Sequence, residues 1–166
     1  KSVNNSLPAL SWSQVSAYRM HRHHLDRRSP LKSLATVVGD ICGVQAQLMS
    51  AAEIALWARV QRLRRDDVER ALWKERTLVK TWCMRGATHL LPAKDLPIYI
   101  GALKRRIREE QRWMAHYGVK PREADVMTEV IYDALAPGPL TRKQLAERVT
   151  ARLGAKARRW VQHYWG

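Results

Sequence analysis

Apolar and polar positions alternate along the chain with a helical period for most of its length, and switch to a strand period once. A first helix begins at Ser11 or Ser13 and runs through Tyr18 toward His24, where "RRSPLKS" breaks it. Ser33 stands where a cap for the next helix is needed. There Leu34, Val37, Val38, Ile41 and Cys42 follow an i, i+3, i+4, i+7, i+8 spacing, one apolar stripe facing a core. Gly43 is placed to end that stripe, so "QAQ" at 45–47 is expected where helix turns to loop. Ser50 with Glu53 three residues on has the form of a capping box for a third helix carrying Ile54, Leu56, Trp57 and Val60. Asp66 or Asp67 is expected to cap a fourth helix, with Val68, Leu72 and Trp73 inward.

The stretch "TLVKTWCMRGATHLLP" changes period. Leu78–Met84 and Ala87–Leu91 read as strands joined at "RG", with Gly86 able to take positive φ. Helices followed by a basic two-stranded hairpin are the plan of a winged helix. Pro92 closes this unit, and a long helix is predicted from Leu96 to His116 with "LKRRIREEQR" along it. Its charges serve equally as phosphate contacts or as a solvated face, since Arg105–Glu109 and Arg106–Glu110 are i, i+4 pairs.

"YGVKP" ends that helix. Asp125–Ala136 is predicted helical with Val126, Val130, Ile131 and Leu135 inward, and "PGPL" is a turn. Thr141 and Gln144 then form a capping box for a helix over Arg142–Leu153, which Gly154 stops. Helix, tight turn and capped helix make a helix-turn-helix pattern. The predicted fold is mainly α with short β-hairpins, in tandem winged-helix domains. Residues 1–92 form the first, with a basic wing at 78–91; residues 93–120 form a connecting basic helix; residues 121–166 form a second. Trp160, Tyr164 and Trp165 would leave apolar surface open at the end of that second unit, so it is expected to continue beyond Gly166.

Charge changes the picture most. The 166 residues carry 30 Lys and Arg against 15 Asp and Glu, a net charge of +15, and arginines outnumber lysines 21 to 9. Arginine offers phosphate a planar, permanently charged fork, and the excess favours a polyanionic partner, nucleic acid before a membrane surface. The apolar content of 46% indicates a globular chain. No apolar stretch reaches the ~18–20 residues that span a bilayer, and "KSVNNSLPAL" lacks the core of a secretory signal. A cytoplasmic, nucleoid-associated protein is expected. Its two cysteines, Cys42 and Cys83, each lie in an apolar run and are expected to be buried and free.

Chemistry-bearing motifs are few. The chain has no glycine-rich phosphate loop and no nucleophile elbow, and no cofactor is called for. "HRHH" (His21, His23, His24) has no further ligand at zinc spacing and its histidines spread around a helix, so no metal is expected. On the wing, Lys80, Arg85 and His89 are candidate DNA contacts, with Lys80 and Trp82 on one strand face and Val79 and Thr81 on the other. Lys104, Arg105 and Arg108 on the long helix, and Arg142 with Lys143, are candidate phosphate contacts. From the residues alone, Gln45 and Gln47 are helix-capping or buried-network amides.

The order "VVGDICGVQAQ" then "TLVKTWCMRGATHLL" resembles the AlkZ family of bacterial DNA glycosylases. That family is built from tandem winged helices and marked by a Gln-x-Gln or Gln-x-Asp motif followed by a "W-x-x-RGT-x-H" hairpin. Gln45 and Gln47 match the first motif; Trp82, Arg85, Gly86 and His89 match the second, with Ala87 where threonine is usual. The resemblance covers most of residues 11–166 and implies a longer protein with a third winged helix and a small β-barrel. It implies a monofunctional glycosylase acting on damaged double-stranded DNA, excising N7-alkylated guanine and unhooking interstrand crosslinks. Gln45 and Gln47 would be its catalytic pair, orienting water at the sugar C1′. The alternative is a non-catalytic winged-helix DNA binder or transcriptional regulator, and a basic interaction domain without nucleic acid stands third. The oligomeric state is not readable from the sequence.

Overall fold

A computed structural model describes residues 9–103, 114–116, 118–155 and 157–158. The chain divides into two compact units, 1–104 and 105–166. The division falls inside the span the sequence assigns to a connecting helix. Lys104, Arg105 and Arg108 lie outside the described residues, as does most of the predicted long helix beyond Leu103.

The first unit opens with α1 (Trp12–Arg22), where Ser11 Oγ accepts from the Gln14 amide at 3.2 Å and Gln14 Oε1 from the Ser11 amide at 2.9 Å. A 3-10 turn (Leu31–Ser33) leads into α2 (Leu34–Asp40) without a side-chain cap from Ser33. A two-residue strand β1 (Val44–Gln45) is followed by α3 (Met49–Trp57) and α4 (Arg65–Trp73). The hairpin is β2 (Leu78–Trp82) and β3 (Thr88–Pro92), and α5 (Leu96–Leu103) follows. The strands form one antiparallel sheet in the order β1-β3-β2. Helices with a small sheet and a basic hairpin are the winged-helix plan that the sequence predicts.

Val37 and Val38 of α2, Ala52 and Leu56 of α3, Val68 and Ala71 of α4, and Leu78 and Leu90 of the hairpin form one core. Several expected positions depart from it. Ser50 does not cap α3, because Leu48 is already extended and the helix begins at Met49, which puts Ser50 inside the first turn. Asp67 does not occupy the N-cap of α4 either. It sits at the third helical position, and its carboxylate reaches back 2.8 Å to accept from the Arg64 amide. Val68 is buried and Leu72 packs partly buried against the core as expected, but Trp73, the last residue of α4, is 76% exposed, and Ala71 is buried. Ile54 and Trp57 are likewise exposed.

In the second unit, α6 (Pro121–Leu135) begins with proline at its first turn, where the missing N–H costs nothing. Glu123 accepts from the Lys120 amide at 2.9 Å. Helix α7 (Arg142–Leu153) carries the expected box, with Thr141 Oγ1 accepting from the Gln144 amide and Gln144 Oε1 from the Thr141 amide at 2.9 Å. Gly154 ends it at φ 80°. Arg148 donates to the Ala134 carbonyl and Arg152 to the Asp133 carboxylate, so two arginines of α7 neutralise the negative end of α6. Val126 and Leu135 are exposed rather than inward, and among the described residues of this unit the buried side chains are Val119, Val149 and Ala157.

Candidate active site

The end of α2 determines where "QAQ" sits. Gly43 donates to the Val38 carbonyl at 2.8 Å and Cys42 to the Gly39 carbonyl at 2.9 Å, the paired bonds of a Schellman motif. Cys42 occupies the left-handed position, φ 59°, usually taken by glycine, and this points its side chain outward. It is therefore exposed, against the expectation of a buried thiol, while Cys83 is buried and forms no disulfide. Gly43 follows at φ 90°, and a Cβ there would stand 2.6 Å from Leu91 Cδ2 and 3.1 Å from the Leu90 carbonyl. Only glycine lets the chain pass this close to β3.

Beyond Gly43 the backbone is strand, not loop. Val44 pairs with Leu90 and Gln45 with His89, and the Ala46 amide extends the ladder to the Thr88 carbonyl at 2.7 Å. Val44 and Ala46 are buried, while Gln45 and Gln47 are exposed, so the period of two puts both amides on one outward face. Gln45 Nε2 donates to Gln47 Oε1 at 2.9 Å. This leaves the Gln45 side-chain carbonyl and the Gln47 amino group uncommitted by that bond.

The register also sorts the wing. The Ala46–Thr88 bond makes Gln45 and His89 a pair that exchanges no backbone hydrogen bonds, the type whose side chains stand closest. Thr81 is opposite His89 on its other side, so Gln45, His89 and Thr81 form a row across one face of the sheet. Lys80, paired with Leu90, lies on the other face with Trp82, and both are exposed. The candidates Lys80 and His89 are thus separated by the sheet. His89 is only 8% exposed, and its Nδ1 donates to the Ala87 carbonyl at 2.9 Å.

At the wing tip Arg85 is exposed and held at φ 54° beside Gly86 at φ 72°. A left-handed conformation costs a non-glycine residue about 1–2 kcal/mol, and the turn spends it on projecting a guanidinium. In the second unit Arg142 and Lys143 are both exposed on the first turn of α7.

The histidine cluster is engaged in hydrogen bonds. His24 reaches Asp40 Oδ2 with Nε2 at 2.8 Å and Ser29 Oγ with Nδ1 at 2.9 Å. His21 pairs with Asp26 at 3.0 Å, and this hydrogen bond holds the Asp26 carboxyl below the usual range. The three histidines do not converge, and no group of three or more metal-ligating side chains occurs among the described residues. No helix among them is long and apolar enough to cross a membrane.

Residues 38–166 match the family model described as DNA glycosylase AlkZ-like. The chain is 37% identical over 142 residues to a curated relative, the interstrand DNA cross-link repair glycosylase of Streptomyces sahachiroi, covering 85% of this chain and 38% of that protein. Among solved structures it is similar to the Streptomyces sahachiroi DNA glycosylase AlkZ at 37% identity and a TM-score of 0.70, covering 86% of this chain and 38% of that one. The chain therefore spans about two fifths of the length of both relatives. With residues 38–166 matched, which include the Gln45–Gln47 pair and the whole wing, the chain belongs to the AlkZ-like DNA glycosylase family.

Proposed function

We propose that this protein is a DNA glycosylase that unhooks interstrand crosslinks, the activity for which its Streptomyces relative is named, and that it does so by hydrolysing the N-glycosidic bond of N7-alkylated guanine. The observation that carries this reading is the exposed, mutually hydrogen-bonded Gln45–Gln47 pair, fixed to β3 through Ala46. Glycosidic hydrolysis ordinarily needs one carboxyl to protonate the leaving group and another to activate water. A guanine alkylated on N7 is already cationic and leaves as a neutral base, so the acid is dispensable. The remaining tasks are to place a water at C1′ and to stabilise developing charge, which amide dipoles can do. In this scheme Gln45, whose amino group is committed to Gln47, offers its carbonyl to the water.

Lys80 and Arg85 grip the DNA backbone from the wing. Arg142 and Lys143, with Lys104, Arg105 and Arg108 of the connecting segment, hold phosphate and carry no sequence information. For a bulky crosslink, excision at the sheet surface suits the substrate better than extrusion into a closed pocket. No metal or cofactor has a step in this scheme. Incubation with a nitrogen-mustard-crosslinked duplex tests it: the wild-type protein should release separable strands on a denaturing gel, and Gln45→Ala/Gln47→Ala should bind that duplex without releasing them.

The capped helix α7 behind a tight turn, with Arg142 and Lys143 exposed at its start, favours a second reading as a regulator. A regulator would prefer one DNA sequence by orders of magnitude. A glycosylase of this kind should bind duplexes nearly alike, with steep salt dependence.

A further inference from the structure

Gln45 and Gln47 can orient a water but cannot take its proton at neutral pH, because an amide carbonyl is far too weak a base. Hydrolysis releases that proton. The C1′–N9 bond breaks with its electron pair leaving on the neutralised base, a C1′–O bond forms, and the attacking water loses one hydrogen. A group on the glutamine face basic enough to take that proton is therefore missing from the scheme.

We infer that His89 is that group, a catalytic residue whose Nε2 accepts the proton of the water held by Gln45. This rests on the glycosylase reading above. Three observations converge on it. First, His89 is the cross-strand partner of Gln45, and the Ala46–Thr88 bond makes theirs the close pair, with Cβ atoms about 4.5–5.5 Å apart in such geometry. Both side chains rise from the same face of the sheet. Second, the partner of Nδ1 is the Ala87 carbonyl, which can only accept. Nδ1 therefore carries a hydrogen, which fixes the tautomer: when the ring carries a single proton, Nε2 presents the bare lone pair. Third, His89 lies on the buried central strand, opposite to Lys80 and at 8% exposure. That is a poor station for a backbone-gripping cation and a good one for a ring held in one orientation. The proton passes from Nε2 to bulk water after the base departs.

The test is single-turnover excision of 7-methylguanine from a duplex by the intact protein at saturating enzyme, with DNA affinity and thermal unfolding measured in parallel. His89→Ala should lower the rate about 100-fold, within the range for a lost general base, at unchanged DNA affinity, and added imidazole should restore part of it. His89→Gln fills the same space and keeps an acceptor near the Nε2 position without basicity, so it should fold like wild type and stay slow. Imidazole should not rescue Gln45→Ala. A wild-type rate in His89→Ala, or in His89→Gln, overturns the proton acceptor while leaving the glutamine scheme standing. So does a rate loss matched by an equal loss of DNA affinity, which would make His89 a DNA contact. No excision by the wild-type protein overturns the glycosylase reading and this inference with it.

Discussion

Gln45 and His89 stand opposite each other across β1 and β3, and the approach of those strands depends on Gly43, which passes so close to Leu91 that no side chain fits. Gly43→Ala therefore strains a left-handed residue and collides with β3 at once. We expect a loss of about 1–3 kcal/mol in unfolding free energy. Any fraction that still folds should bind DNA through the wing yet excise poorly, because β1 can no longer seat Gln45 over His89. Urea unfolding and single-turnover excision check the two halves separately.

Arg85 should show opposite effects on stability and binding. Its left-handed conformation, φ 54°, is one that glycine adopts without strain. Arg85→Gly is expected to raise stability by about 0.5–1 kcal/mol, the relief of strain exceeding the added chain entropy. The same change should weaken DNA binding, since it removes the guanidinium at the wing tip. A thermal melt and a binding titration on one preparation decide it.

Lys80 and Lys143 are exposed cations in separate units. Each alanine variant should weaken binding to all duplexes by a similar factor and reduce the slope of log affinity against log salt by about one. A loss confined to one DNA sequence would mark base readout and favour the regulator.

Asp67 gives the fold an acid-sensitive cap. The Arg64 amide, then the Arg70 guanidinium, hold its carboxyl below the usual carboxylate range, while burial pulls the other way. Because the folded value is the lower one, the stabilisation is fully present above the ordinary carboxylate pKa of about 3.9. It is lost as pH falls through the lower folded value. Asp67→Asn should abolish this component of acid unfolding. Asp67→Ala should cost about 1–3 kcal/mol at neutral pH, the range for a buried charge-assisted hydrogen bond. Urea midpoints at pH 7 and at pH 3 measure both.

Where local chemistry is self-contained, the sequence was sufficient. The Thr141–Gln144 box and Gly154 bound α7 at the residues expected, and the "RG" turn joins the predicted strands. Where an end is set by its neighbour, the sequence misled. The apolar stripe through Val37 and Val38 runs on to Cys42 in sequence, but the Schellman turn ends the helix at Asp40 and turns Cys42 out. The signal for β1 was present in the strict alternation of Val44, Gln45, Ala46 and Gln47, and a strand so short is easily taken for loop. The proximity of Gln45 to His89 could not be read at all, since it follows from a pairing register between segments about 44 residues apart in "QAQ" and "RGATH". Trp73 shows the same limit: Val68 and Leu72 keep to the core side as their spacing suggests, but Trp73 is the last residue of the helix, where neighbouring elements rather than spacing decide burial.

The central claim is that the paired amides perform the hydrolytic step. A duplex carrying one 7-methylguanine is incubated with the protein and heated in alkali, which cuts the strand wherever a base has been lost. Wild-type protein should give cleavage at the lesion. The Gln45→Ala/Gln47→Ala variant, at equal bound fraction, should give none above background. Equal cleavage by both would contradict the account and return the two glutamines to a purely structural role.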